Sequence, residues 1–179
     1  MIKNVIDQLQ NLSVPDIKEY CLNKIIPASC CMINIEGDFN FSTMIRNANF
    51  FGFSSVHYVG KKKWDRRGSV GTHHYTPIYY HRTEHDFLET IIKDRDIVCI
   101  ENNVGWADKT HELFTYDLAG LKDPIFVFGS ENCGLSDIIL SYCKVILTMS
   151  GYGSVRSLNV GTASGIVLGL YRSIIERKY

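Results

Sequence analysis

The stretch IFVFGSENCGLS, residues 125–136, changes abruptly from apolar to polar side chains. Residues 125–128 form a short apolar run of the kind found in strands that are buried on both faces of a sheet. Ser130, Glu131 and Asn132 follow at once, between Gly129 and Gly134. The chain therefore presents a carboxylate and bare backbone at the end of a core strand, and such a strand end is typical of a functional loop.

Strand-like and helix-like segments alternate on both sides of this stretch. Apolar runs at 28–35, 56–59, 96–100 and 145–147 predict strands, and segments 40–51, 83–93, 136–142 and 158–176 predict helices. This alternation predicts an α/β fold with a mainly parallel sheet flanked by helices. Ligands of such sheets bind beyond the carboxyl ends of the strands, where residues 101–103, 129–131 and 148–150 lie.

The N-terminal segment has a different pattern. Its apolar residues between positions 2 and 12 recur at helical spacing, and Pro15 is expected to open a second short helix that ends near residue 23. We predict an N-terminal helical extension at residues 1–27 and a single domain at residues 28–179.

Composition excludes several classes of protein. Nineteen basic and nineteen acidic residues balance to zero, so a general polyanion-binding protein is not indicated and any nucleic-acid site must be local. Six cysteines without CxxC spacing predict buried free thiols in a reducing cytosol and argue against zinc. Residues 160–170 are too few to span a bilayer, and polar residues after Ile2 interrupt any secretory signal, so we expect a cytoplasmic protein without membrane contact.

Familiar catalytic motifs are incomplete. Gly129 and Gly134 have the spacing of a phosphate loop, but Leu135 stands where that loop needs lysine. The sequence also lacks the GxGxxG of dinucleotide-binding folds and the GxSxG of serine hydrolases. Nucleotide-triphosphate, dinucleotide and serine-hydrolase chemistry are therefore not favoured.

A basic loop, KKKWDRR at 61–67, has five cations in seven residues. It is either a solvated charge run or a strip that contacts RNA phosphates, with Trp64 able to stack on a base. The strip comprises Lys61, Lys62, Lys63, Arg66 and Arg67.

The predicted C-terminal helix carries Gly161, Gly165 and Gly169 at a spacing of four, beside an aliphatic stripe. Because each glycine costs a helix about 1 kcal/mol relative to alanine, three of them indicate that another backbone approaches closely. The reason is either tight packing within one chain or a helix shared with a second subunit.

Three blocks together resemble one known family. They are NFSTMIRNANFFGF from 40, FVFGSENCGLS from 126 and LTMSGYGSVRSLNVGTASG from 147, with RRGSVGTHHY from 66. The chain resembles the SpoU/TrmH branch of the SPOUT superfamily, the S-adenosylmethionine (AdoMet)-dependent RNA ribose 2′-O-methyltransferases.

The resemblance assigns roles residue by residue. Asn40 and Arg46 match the first motif, Glu131 the second, and Ser157 and Asn159 the third, so these five are the expected catalytic residues. Arg46 is either the base or a cation that orients the hydroxyl and a phosphate, since an arginine side chain is normally charged. The family usually has glycine where Ser42 stands and often has threonine where Asn47 stands, which puts efficiency or specificity in question.

The resemblance also implies a fold and partners. It implies a C-terminal trefoil knot, a homodimer formed through the C-terminal helix, an RNA substrate with tRNA favoured over rRNA, and no metal. The alternative is a non-catalytic RNA-binding or assembly module of the same fold. The expected AdoMet-binding residues are Ile100, Glu101, Asn102, Gly129, Gly134, Leu147, Met149, Ser157 and Leu158.

Overall fold

The computed structural model describes residues 4–34, 38–61, 63–91, 95–102, 105–130 and 132–178. Its α-helices are α1 (Val14–Leu22), α2 (Asp38–Phe50), α3 (Glu84–Ile91), α4 (Asp137–Tyr142) and α5 (Val160–Lys178). Its strands are β1 (Ile26–Ile33), β2 (Phe53–Val59), β3 (Ile78–His81), β4 (Ile97–Ile100), β5 (Thr110–Glu112), β6 (Ile125–Phe128) and β7 (Val145–Thr148). Short 3₁₀ turns include Asp7–Leu9, Arg66–Ser69 and Thr72–His74.

These strands form one seven-stranded sheet in the order β3-β2-β1-β6-β4-β7-β5, and each neighbouring pair is parallel. The predicted α/β class with a mainly parallel sheet is confirmed. Because β6, β4 and β7 are neighbours, their carboxyl ends lie side by side. The three polar strand ends predicted from sequence therefore meet at one edge of the sheet.

Both faces of the sheet are covered by helices. Phe41 and Met44 of α2 and Val167 of α5 belong to the core on one face, together with strand residues such as Phe126. Residues of α3 and α4, such as Phe87 and Ile139, belong to the core on the other face. Burial on both faces explains why the central strands read as continuous apolar runs.

Several local predictions differ from the structure. The first N-terminal helix is only the 3₁₀ turn at Asp7–Leu9, whereas α1 begins as predicted, with Pro15 in its first turn and Ser13 as N-cap. Strands β3 and β5 were not predicted. Helix α2 begins at Asp38, two residues before the predicted start at position 40.

The close approach predicted from the glycine stripe is that of α2, a helix of the same chain, whose side chains lie against the three glycines. A Cβ built at Gly161 would lie 3.2 Å from Thr43, and one at Gly169 would lie 3.0 Å from the ring of Phe51. At Gly165 the neighbour is the amide of Asn47, 3.2 Å away. The stripe therefore serves packing within one chain.

Four of the six cysteines are buried, as predicted: Cys30, Cys31, Cys99 and Cys143. Burial raises the pKa of the Cys30 thiol, which keeps it protonated and unreactive. Cys133 is exposed and lies in the loop after β6. The prediction of buried thiols is thus wrong for Cys133.

Candidate active site

A cleft of about 280 Å³ opens at the carboxyl ends of β6, β4 and β7. Eight of the nine residues expected to bind AdoMet line it: Ile100, Glu101, Asn102, Gly129, Gly134, Met149, Ser157 and Leu158. Leu147 does not, since its side chain is buried in the core and its carbonyl accepts a hydrogen bond from the backbone of Glu101. The sheet edge and the start of α5 thus form one concave site.

The loop after β6 is folded tightly on itself. Gly134 donates its N–H to the carbonyl of Ser130 at 2.9 Å, and Cys133 donates its N–H to the Ser130 hydroxyl at 3.1 Å. A Cβ at Gly129 would collide with the backbone of Gly134, and Gly134 itself has a φ of +64°. Gly129 is required because the backbone of Gly134 packs against it, and Gly134 is required because of its positive φ and the adjacent Glu101 carboxylate.

Two side chains at the end of β4 hold the neighbouring loops. Asn102 accepts a hydrogen bond from the N–H of Met149 at 2.9 Å and donates to the carbonyl of Met149 at 3.1 Å. Glu101 accepts the N–H groups of Asn102 and Leu135, at 2.9 Å and 3.1 Å. The ends of β4, β6 and β7 are therefore connected through side chains rather than only through the strand ladder.

The first and third sequence motifs meet beside the cleft. Asn159 donates its side-chain N–H to the side-chain oxygen of Asn40 at 2.9 Å, across 119 residues of sequence. The side-chain oxygen of Asn159 also accepts the N–H of Thr162 at 3.1 Å, in the first turn of α5. The predicted proximity of Asn40 to the residues 157–159 is thus present within one chain.

Arg46 lies elsewhere. Its side chain is exposed on α2 and lines a second, larger groove of about 1220 Å³ between the N-terminal segment, α2 and α5. Among the residues described, those lining the smaller cleft do not include Arg46. Glu131, the remaining predicted catalytic residue, lies outside the described residues. The structure thus brings Asn40 and Asn159 into contact and places Ser157 in the wall of the cleft, whereas Arg46 lines the larger groove.

Both departures from the family pattern serve packing. Ser42 is fully buried, and its hydroxyl donates to the carbonyl of Asp65. Asn47 donates to the carbonyl of Gly161 at 3.1 Å and to the hydroxyl of Ser164 at 3.0 Å. Ser42 therefore anchors the basic loop to α2, and Asn47 anchors α2 to α5.

The basic loop is exposed at Lys61, Lys63, Arg66 and Arg67, and Lys62 lies outside the described residues. Asp65 pairs with Arg67 at 2.5 Å, and the hydrogen bonds from Arg67 lower the pKa of the Asp65 carboxyl. Trp64 is half-buried and meets the ring of Phe41 edge-on at 5.2 Å. Its indole is thus held by the core, which weakens the idea that it stacks on a base.

Sequence reasoning missed seven residues that line the cleft: Phe128, Ser130, Asn132, Cys133, Leu135, Val160 and Ala163. Four of them lie in the stretch 130–135 that was recognised as a functional loop, which is a usable signal. Val160 and Ala163, on the aliphatic side of the last helix, are buried as well as lining the cleft.

Within the described ranges, no group of three or more His, Cys, Asp or Glu side chains is placed to hold a metal ion. The same part of the chain contains no helix that is both long and apolar enough to cross a membrane.

Solved structures share this fold. The A. aeolicus TrmH/SpoU tRNA modifying enzyme is 23% identical with a TM-score of 0.78, and the match covers 92% of this chain and 83% of that one. An AdoMet-bound rRNA methyltransferase from Sinorhizobium meliloti is 21% identical with a TM-score of 0.72, covering 86% of this chain but only 60% of that one. The SpoU methyltransferase AviRb from Streptomyces viridochromogenes, in complex with AdoMet, is 18% identical with a TM-score of 0.70. The match covers 86% of this chain and 58% of that one.

Among curated proteins, no significant sequence match was found. The model of the SpoU rRNA Methylase family matches residues 28–169, which include both the cleft and the Asn40–Asn159 contact. The chain therefore belongs to the SpoU rRNA methylase family.

Proposed function

We propose that this RNA methyltransferase uses AdoMet to methylate a ribose 2′-hydroxyl, and that tRNA is its substrate. The observation that carries the proposal is the cleft at the ends of β6, β4 and β7, next to the Asn40–Asn159 hydrogen bond. The fold relatives from Sinorhizobium meliloti and Streptomyces viridochromogenes contain AdoMet, which supports the choice of methyl donor.

The residues of the cleft fit an adenosine with an amino-acid tail. Ile100, Leu158 and Val160 offer apolar surface for an adenine ring, while Asn102 and Ser157 offer hydrogen-bonding side chains. Gly129 and Gly134 leave exposed backbone in the same wall. A concave site that combines apolar surface with several fixed polar groups suits such a cofactor.

AdoMet supplies a methyl group on a sulfonium, which is a strong electrophile without further activation. The chain's own residues must place the ribose hydroxyl and take up or direct its proton. Asn40 and Asn159, fixed by their mutual hydrogen bond, hold the ribose, and Arg46 acts on the hydroxyl or on the adjacent phosphate. Positioning of this kind supplies up to about 7–11 kcal/mol in favourable cases.

Because Arg46 lines a different groove from the AdoMet cleft, we propose that a second copy of the chain supplies it. Phe50, one turn along α2 from Arg46, is 83% exposed, and Leu22 and Ile25 nearby are 57% and 39% exposed. Leu170 and Ile174 of α5 are only half-buried. Such apolar exposure supports a homodimer on the α2–α5 side.

RNA is proposed to contact the basic loop. The exposed Lys61, Lys63, Arg66 and Arg67 lie on a loop anchored to α2 by Ser42, the same helix that carries Arg46. Each phosphate contact to a single strand contributes about 0.7 to the slope of log affinity against log salt. The long match to the A. aeolicus tRNA modifying enzyme supports tRNA over rRNA.

The trefoil knot and the cytoplasmic location remain proposals that rest on the family resemblance and, for location, on the buried free thiols.

The proposal is tested by incubating the protein with radiolabelled AdoMet and total RNA, then mapping modified nucleotides by mass spectrometry. We expect label on a tRNA ribose, which resists alkaline cleavage at that position. Label on a base, or no label with every RNA fraction, would contradict the proposal.

A non-catalytic RNA-binding module of the same fold is the second candidate, because Arg46 lies outside the cleft of its own chain. Calorimetry with AdoMet separates the two functions. Absence of binding at millimolar AdoMet, with RNA still bound, would favour the module.

A further inference from the structure

Glu101 is the only charged side chain that lines the cleft among the residues described. The remaining lining side chains are apolar or neutral, such as Asn102, Ser130 and Ser157. Because the other described side chains of the lining are uncharged, the Glu101 carboxylate distinguishes ligands by their charge more than by any other property.

The carboxylate is fixed in place. Its two oxygens each accept a backbone N–H, one from Asn102 at 2.9 Å and one from Leu135 at 3.1 Å. A Cβ at Gly134 would collide with one of these oxygens, so the loop provides room for the carboxylate only because it has glycine there. The charge therefore needs no reorganisation when a ligand enters.

We infer that Glu101 makes the cleft prefer the cationic methyl donor over its neutral, demethylated product, and that it thereby promotes product release. The inference rests on the proposed function and specifies it further. Methyl transfer breaks the carbon–sulfur bond and leaves its electron pair on sulfur, while a carbon–oxygen bond forms to the ribose and the hydroxyl proton is released. The sulfonium charge is lost, and with it the attraction to the Glu101 carboxylate.

Glu101 also connects two loops, so a purely structural role must be distinguished from a charge role. Loss of the connection alone lowers the affinity for both ligands by the same factor. Loss of the charge lowers the affinity for the cationic ligand selectively. Glu101→Gln removes the charge and keeps one hydrogen-bond acceptor. Glu101→Asp keeps the charge on a shorter side chain.

Glu112→Gln is a matched control. Glu112, at the end of β5, accepts the N–H and the hydroxyl of Ser150 at 3.2 Å and 2.6 Å, next to the same edge of the sheet. It thus bonds a strand-end loop as Glu101 does, but it is not among the residues that line the cleft.

The experiment is calorimetric titration of the full chain with AdoMet and, separately, with S-adenosylhomocysteine, without RNA. For Glu101→Gln we expect AdoMet affinity to fall about tenfold and that of S-adenosylhomocysteine by less than about threefold, the scale of one partly solvated charge pair. Glu101→Asp should largely retain the preference, Glu112→Gln should retain it fully, and high salt should reduce it.

If Glu101→Gln lowered the affinity for both ligands equally, or lowered neither, the inference would be overturned and the proposed function would stand. If the wild-type chain bound neither ligand, the proposed function itself would fail.

Discussion

The side chains of α2 differ in how completely other residues of the same chain cover them. Toward α5, Thr43, Asn47 and Phe51 fill the space left by three glycines, and Asn47 donates two hydrogen bonds across the contact. Arg46 and the 83% exposed ring of Phe50 lie beside these residues and line an open groove, to which Thr43, Asn47 and Phe51 also contribute. The comparison shows that the contact of α2 with α5 is fully packed within one chain, whereas for Arg46 and Phe50 we propose that a second copy of the chain covers them.

Arg46→Ala tests whether Arg46 takes part in methyl transfer, and it has the largest expected effect. We expect methyl transfer to fall by about 10²–10⁴-fold, the usual contribution of a group that moves or directs a proton. AdoMet affinity and the free energy of unfolding should stay unchanged, because Arg46 is exposed and does not line the cleft. Single-turnover methylation, calorimetry and urea unfolding measure the three quantities, and an undiminished rate would remove Arg46 from the mechanism.

Phe50→Glu tests whether a second subunit covers the open groove. Burying a phenylalanine contributes about 1.5–3 kcal/mol, so the variant should raise the dimer dissociation constant by more than about tenfold. The fold should persist, since the ring is exposed in the single chain. Tyr142→Glu, at a 56% exposed position on α4 across the sheet, is the control. Sedimentation velocity measures the dimer dissociation constant of both variants, and equal association of the two would rule out this interface.

Gly169→Val tests the packing of α5 against α2. A side chain at Gly169 would lie against the Phe51 ring, so overpacking should lower the free energy of unfolding by about 1–3 kcal/mol. Gly153→Ala is the control, because no atom lies within 4 Å of a Cβ built there. Urea denaturation measures both variants. An unchanged midpoint for Gly169→Val would show that the two helices pack less tightly than described.

Asn47→Thr, which introduces the residue common in the family, should have the smallest effect. It removes hydrogen bonds to Gly161 and Ser164, and the expected loss is about 1 kcal/mol in the free energy of unfolding. Asn49→Thr on the same helix controls for helix propensity. Thermal unfolding by circular dichroism measures both, and a more stable Asn47→Thr variant would contradict the role assigned to this amide.

The strands that sequence predicted are those whose apolar runs are buried on both faces. Residues 125–128 and 145–147 are examples. Strand β3 was missed because Tyr79 and Tyr80 are exposed at the sheet edge, where no apolar run is needed. Strand β5 has three residues, too few for any periodicity to appear.

The cleft was predictable to the extent that sheet geometry defines it. Polar residues after β4, β6 and β7 meet because parallel strands end at one edge. The position of Arg46 was not predictable, because it depends on how α2 packs against α5. Arg46 is exposed, and helical spacing carries no information on which groove it faces. The glycine stripe likewise indicated a close contact without identifying side chains as the neighbours.

Strand β1 is an interior strand of the sheet and pairs on one side with β2, which follows it closely, and on the other with β6. Ser29 is aligned with Ile125, so most of the polypeptide must be synthesised before that second ladder can form. Non-local pairing of this kind slows folding and leaves strand edges unprotected meanwhile. On the ribosome, the first three strands therefore emerge before β6 is available to pair with β1. The unpaired apolar edge of β1 is then a site at which chaperones can bind.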